Sequence, residues 1–273
     1  MKWTRKDLER ALRLAQGDDG GFGPVAGATS EPEPTALAAL ALGDEPARAW
    51  LRSRQAADGS VGLRLGSVWN DSATALAALA FGPGKEQASA LDHLQAAQAA
   101  TAPNDPIIPH DPSIQGWSWT AGTFGWVEPT SRAVLALRRF RPAAPQIADG
   151  VAVLIDRECV GGGWNYGNRV VYGENLPPYA QTTAAALLAL RPNDGAIVTR
   201  GLARLHTLWR DEQTGGLSLA MSLAAFRAHG DGEAAAVAKA LGEVAAKTSL
   251  FGDTVALAWA VIASGPAFGE VIA

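Results

Sequence analysis

One pattern constrains this chain more than any other: an eight-residue run that recurs six times. Each copy opens on Thr or Ser and continues in Ala and Leu. The copies are TALAALAL from Thr35, TALAALAF from Thr74, TSRAVLAL from Thr130, TAAALLAL from Thr183, SLAMSLAA from Ser218 and TVALAWAV from Thr254. Aligned on the hydroxyl, the sixth residue after it is always Ala: Ala41, Ala80, Ala136, Ala189, Ala224 and Ala260. The residue before that Ala is always large and apolar, namely Leu40, Leu79, Leu135, Leu188, Leu223 and Trp259. Ala and Leu are strong helix formers. A helix that is apolar on nearly every face must be buried on most sides, and a small residue at a fixed place lets a neighbouring helix come close.

A more amphipathic element precedes each run, and its end has its own signature: an apolar pair, Gln four residues on, then Gly-x-aromatic. Ala11-Leu12 leads to Gln16, Gly20 and Phe22, and Trp50-Leu51 leads to Gln55, Gly59 and Val61. Val153-Leu154 leads to Gly162 and Trp164 with Glu158 in the Gln place, and Leu205 leads to Gly215 and Leu217 with Trp209 there. After His93-Leu94 and Gln98 a long insertion delays Gly116 and Trp117, and the sixth element, around residues 234–247, has lost the signature. The glycine-rich stretch GGGWNYGN is therefore the joint after the fourth outer helix, with Trp164 as a wedge between helix ends.

The hydroxyls are 39, 56, 53, 35 and 36 residues apart, so the extra length falls in two connections. Six helix pairs could stack as an open solenoid, but these inner helices are apolar on too many faces to leave one side in water. Closing six of them into a ring buries all of them. The expected fold is all-α, an (α/α)6 barrel or toroid, as a single domain over residues 1–273.

Composition narrows the function classes. The 273 residues carry a formal net charge of −4 and no run of Lys or Arg, which argues against a nucleic-acid partner. A single cysteine, Cys159, excludes an intrachain disulfide and a thiolate-rich zinc site. No metal and no cofactor are expected. The first residues read as a charged amphipathic helix rather than a signal peptide, and no apolar run approaches the ~20 residues of a membrane span. The expectation is a cytoplasmic protein.

The joint signature resembles the QW motif of squalene–hopene cyclases and the related repeats of protein prenyltransferase β-subunits. Gly150, Leu154, Gly162 and Trp164 stand at that motif's spacing, and Arg200, Gly201 and Leu205 match its opening. The resemblance implies a divergent, single-toroid member of that superfamily, with an α/α toroid as its fold. The Asp-x-Asp-Asp acid of class II terpenoid cyclases and the Asp-Asp-x-x-Asp metal motif of class I synthases are both missing from this sequence. Cys159, with Asp156 three residues earlier, does not reproduce the zinc-binding pattern of protein prenyltransferases. The family implies a fold and a cavity rather than a reaction.

Topology points to one rim, where every outer helix hands over to an inner one. Loop-decorated barrel ends are common ligand sites. The two longest connections carry Trp117, Trp119, Phe124, Trp126, Trp164, Tyr166, Tyr172 and Tyr179, and a shorter one carries Trp69. Glu31, Glu33, Asp71, Glu128, Gln181 and Asp253 stand at or near the inner-helix starts. Negative groups there stabilise helix N-termini; in an aromatic-lined cavity they would instead be general acids with raised pKa values. Asp71, Glu128 and Asp253 are the catalytic candidates. Trp69, Trp117, Trp126, Arg132, Trp164, Tyr166 and Tyr179 are the substrate-binding candidates. Arg132 is the only charge in the first seven residues of any inner run, and Glu128 lies at i−4 to pair with it. His110, in a Pro-rich loop, reads as solvated, with a base or ligand role as the alternative.

Three classes of function fit. The first is an enzyme or binding protein for an isoprenoid or similar apolar small molecule held in the ring. The second is a non-catalytic toroid that presents its rim to a protein partner. The third is a carbohydrate-active (α/α)6 enzyme, which the QW-like joints disfavour.

Overall fold

A computed structural model describes residues 4–62, 71–97, 99–105, 107–193, 195–211, 214–247, 252–265 and 268–269. Trp69 and Gln98 lie outside the described residues. Among the described residues the chain forms twelve helices and one two-residue-per-strand ribbon.

The six Ala/Leu runs form α2 (Pro32–Leu42), α4 (Asp71–Ala80), α6 (Val127–Phe140), α8 (Ala180–Leu190), α10 (Gly216–Ala228) and α12 (Thr254–Ser264). The amphipathic elements form α1 (Arg5–Leu14), α3 (Glu45–Arg52), α5 (Lys85–Ala96), α7 (Gln146–Asp156), α9 (Ala196–Leu208) and α11 (Ala234–Lys247). Each Ala/Leu helix packs on the next, α2 on α4 and so on to α12, and α12 returns to pack on α2. The amphipathic helices flank that circuit: α1 lies on α12 and α2, α3 on α2, α5 on α4 and α6, α7 on α6 and α8, α9 on α8, and α11 on α10. The aligned alanines are all buried, as are the large residues before them. The all-helical expectation therefore holds.

The joints repeat atom for atom. The hydroxyl that opens each of the first four inner runs hydrogen-bonds the backbone of the Gly-x-aromatic residue. Thr35, Thr74, Thr130 and Thr183 Oγ1 accept from the N–H of Phe22 (2.8 Å), Val61 (2.9 Å), Trp117 (3.1 Å) and Trp164 (2.9 Å). The same turn closes three of the joints: Gly17 N–H to Gly21 O, Ala56 to Ser60 and Cys159 to Gly163. Gly59 and Gly162 sit in that turn at φ of +86° and +95°, and a Cβ there would meet the backbone carbonyl of the next outer helix at 2.1 and 2.8 Å. Both the left-handed conformation and the close approach require glycine.

The Gln of the signature ties the turn to the following outer helix. Gln16 Nε2 donates to Gly20 O and Asp44, and Gln55 Nε2 donates to Gly59 O and Glu86 O. Where Glu158 replaces Gln, the polarity of the tie reverses. It accepts from Arg200 of α9 at 2.8 and 2.6 Å. Trp164 is fully buried and its indole donates to Leu154 O; Trp117 likewise donates to Leu94 O. The Trp117 and Trp164 rings lie over Gly150 and Gly201, where a Cβ would stand 2.8 Å from each ring. Those glycines open the motif because the wedge ring occupies their side-chain space.

Candidate functional site

The two long connections, between α5 and α6 and between α7 and α8, stand at the rim where the inner helices begin. The second contains the ribbon β1 (Val170–Val171) and β2 (Glu174–Asn175), turned through Tyr172 and Gly173 with φ of 52° and 83°.

One register at this rim gathers chemistry. The position two residues before each aligned hydroxyl carries Glu33 (α2), Ser72 (α4), Glu128 (α6) and Gln181 (α8), and glycine in the last two repeats, Gly216 and Gly252. Three of these, Glu33, Ser72 and Glu128, converge on Arg132, one turn into α6. Arg132 donates to Ser72 Oγ at 2.7 Å, Glu33 Oε1 at 2.7 Å and Glu128 Oε1 at 2.5 Å. Gln181 hydrogen-bonds Glu128 from the other side. In the packing circuit α2 and α6 are both neighbours of α4, so Arg132 reaches past the end of α4 to meet Glu33. The Trp119 ring centroid lies 5.9 Å from the guanidinium carbon.

Arg132 and Glu128 are both buried, their side chains 6% exposed, while Glu33 is 22% exposed. Burial pushes the Glu128 carboxyl up; Arg132 opposes the push, Glu33 adds to it and Gln181 opposes it. One guanidinium thus stands between two carboxylates. Protonating Glu128 leaves Glu33 and Arg132 as a neutral pair, which is the arrangement a low-dielectric site favours. Arg132 is held cationic: its burial penalty is outweighed by Glu33 and Glu128. The i−4 pairing expected from the sequence is present, inside a larger network.

The other acidic candidates sit elsewhere. Successive helical residues are turned by about 100°, so positions one residue either side of this register face away from it. Asp71, one residue earlier, is fully buried and accepts from Ser118 N–H at 2.8 Å and Ser118 Oγ at 3.3 Å. His93 Nε2 of the outer helix α5 lies 3.7 Å from its other oxygen. Asp71 thus anchors the connection that carries Trp117 and Trp119. Asp253, one residue later, is exposed and caps α12 by accepting from Ala256 N–H at 3.0 Å.

The aromatic candidates divide in the same way. Trp117 and Trp164 are the buried joint wedges described above. Trp126 is half-buried at the N-cap of α6. Tyr166 and Tyr179 are about half exposed and meet in a tilted contact with centroids 5.5 Å apart. Glu33 and Trp119 are named by the sequence only as rim residues without a catalytic or binding role, and Ser72 is not named at all. Strict counting from the hydroxyl selects Glu33 and Ser72, whereas allowing any acid within three residues admits Asp71 and Asp253. Among the described residues, no group of three or more His, Cys, Asp or Glu side chains is placed to hold a metal ion, and no helix is long and apolar enough to cross a membrane.

The architecture defined by this circuit of helices is terpene cyclase-like. The likeness is to a solved variant of the type II terpene cyclase MstE from Scytonema, in complex with its product merosterolic acid A, with a TM-score of 0.53 at 16% identity. The match covers 77% of this chain and 65% of that one, so the chain spans just under two thirds of the cyclase. At that identity the likeness is one of fold. No family model matches the sequence, and no curated protein matches it.

Proposed function

We propose that the chain is a single-domain (α/α)6 toroid, a divergent relative of the terpenoid cyclases and prenyltransferases. In this reading it binds or transforms an isoprenoid or similar apolar small molecule inside the ring. The observation that carries the reading is the network in which the buried Arg132 of α6 gathers Glu33 of α2, Ser72 of α4 and Glu128 of α6, with a Glu128 carboxyl that burial pushes toward its protonated form. A carboxylic acid of this kind serves as a general acid. Protonated Glu128 would deliver its proton to a guest alkene, and the Trp119 face would steady the resulting cation. The same register carries glycine in the last two repeats, Gly216 at the start of α10 and Gly252 just before α12. The missing Asp-x-Asp-Asp string is compatible with this because the acid stands on a different motif, Glu-Pro-Thr at the start of α6. A cytoplasmic site of action belongs to the same reading.

The test is titration with farnesol and geranylgeranyl diphosphate by calorimetry, followed by product analysis of long incubations by gas chromatography. Saturable binding is expected, with Glu128→Gln retaining binding and losing any cyclised product. Absence of binding to either probe would remove the isoprenoid reading and leave the rim as a surface for a protein partner.

A further inference from the structure

The two long connections wall an open pocket whose lining shares no residue with the Arg132 network. It is a pocket of about 650 Å³, walled by Ile108, Pro112, Phe124, Trp126, Val170 and Val171. That volume lies within the range of small-molecule sites. Its floor is set by the ends of outer helices: Arg157 follows α7, and Ala102 lies six residues beyond α5.

The charged side chains around it already have hydrogen-bond partners. Arg157 is buried and paired with Asp156 at 2.5 Å. Asp156 also accepts from Asp111 N–H at 3.2 and 3.1 Å. Arg169 donates to Pro109 O at 3.0 Å. These bonds clamp the 107–112 segment to the end of α7 and leave no net charge looking for a partner. His110 also lines the pocket, and among the described residues its buried Nδ1 has no hydrogen-bond partner. Burial, and then the nearby Arg157 charge, hold this imidazole toward its neutral form.

We infer that this pocket binds an uncharged, largely aliphatic molecule bearing one hydroxyl group, with the hydroxyl on His110 Nδ1 and the chain against the Ile108–Phe124–Trp126–Val171 wall. The choice of head group follows from the chemistry of the imidazole. A neutral ring presents Nδ1 either as donor or as acceptor, and a hydroxyl satisfies both, whereas a carboxylate only accepts. A charged head would also be desolvated beside an Arg–Asp pair that is already neutral, which costs more than it returns. The unmet hydrogen bond at Nδ1 is the specificity element, because a buried polar atom left unpaired is penalised and a matching guest relieves that penalty.

The experiment uses 1-decanol and decanoate as probes of the full chain, with histidine ring-¹⁵N NMR and calorimetry. His110 is assigned by the resonance lost in His110→Phe. The expected result is saturable decanol binding that moves the His110 Nδ1 resonance, with decanoate weaker by about tenfold or more. Ile108→Trp, which fills the pocket, should weaken decanol by about tenfold or more, and His110→Phe should erase the preference for alcohol over carboxylate. Decanol binding that leaves the His110 resonance unmoved would overturn the inference. So would binding that survives Ile108→Trp at full strength, since that places the guest outside this pocket. The pocket stands whether or not the ring binds an isoprenoid, because its residues, Trp126 apart, belong to the connections and not to the inner helices.

Discussion

Replacing Thr183 by Val should destabilise the protein, while the same change at Thr254 should not. Thr183 is fully buried, and Val has nearly its shape, so no cavity opens. What disappears is the acceptor for the Trp164 N–H at 2.9 Å. The Trp164 carbonyl keeps two donors, Thr182 Oγ1 at 2.6 Å and Tyr179 N–H at 2.9 Å, so only the N–H is orphaned. A buried donor left unpaired costs about 1–3 kcal/mol. For a chain of this size each kcal/mol moves the melting temperature by about 2–4 °C, so the shift should be roughly 2–12 °C downward. Thr254 opens the sixth run from the equivalent position, but among the described residues its buried hydroxyl oxygen has no hydrogen-bond partner. Thr254→Val removes an unsatisfied polar atom, and its effect should lie between zero and a gain of about 1 kcal/mol. Urea melts read both, with the slope unchanged if the compactness of the two end states is unchanged. Thr35→Val, Thr74→Val and Thr130→Val should group with Thr183→Val. Equal losses at Thr183 and Thr254 would refute the reasoning, because they would show that the repeated hydroxyl acts through helix propensity or packing rather than through the joint hydrogen bond.

Two further outcomes follow from the packing and the charges. Gly201→Ala places a Cβ 2.8 Å from the Trp164 ring and 3.0 Å from Leu187, so overpacking should cost about 1–3 kcal/mol in the same melts despite alanine's better helix propensity. Glu128, whose folded pKa is raised by burial, makes the protonated state the more stable one: its contribution is fully present below the unfolded carboxylate range and is lost as pH rises through the folded value. Glu128→Gln should abolish that segment of the stability-versus-pH profile, and a wild-type profile that rises with pH through the same window would contradict the assignment.

The helices, their number, their order and their pairing follow from the sequence alone, because each rests on local composition repeated six times. Alanine and leucine set helix propensity, and the all-round apolar pattern separates inner from outer elements. The joints were legible for the same reason: Gly59 and Gly162 need positive φ, and Trp117 and Trp164 fill the space over Gly150 and Gly201, so residue type and spacing carry the geometry. Arg132 was also visible, as a charge in a run that otherwise has none.

The membership of the network was decided by tertiary structure. Glu33 and Arg132 are 99 residues apart, and although the repeat register groups Glu33 with Ser72 and Glu128, it does not say that they meet. Only the mutual orientation of three helices makes one residue in each first turn face the others and turns its neighbours by about 100° toward a loop or toward solvent. The pocket beside His110 likewise exists only because two connections separated by an entire helix pair fold against each other. Whether a polar atom finds a partner depends on that packing and not on the residue's type, so neither the buried, unmatched Nδ1 of His110 nor the idle hydroxyl of Thr254 could be read from the chain.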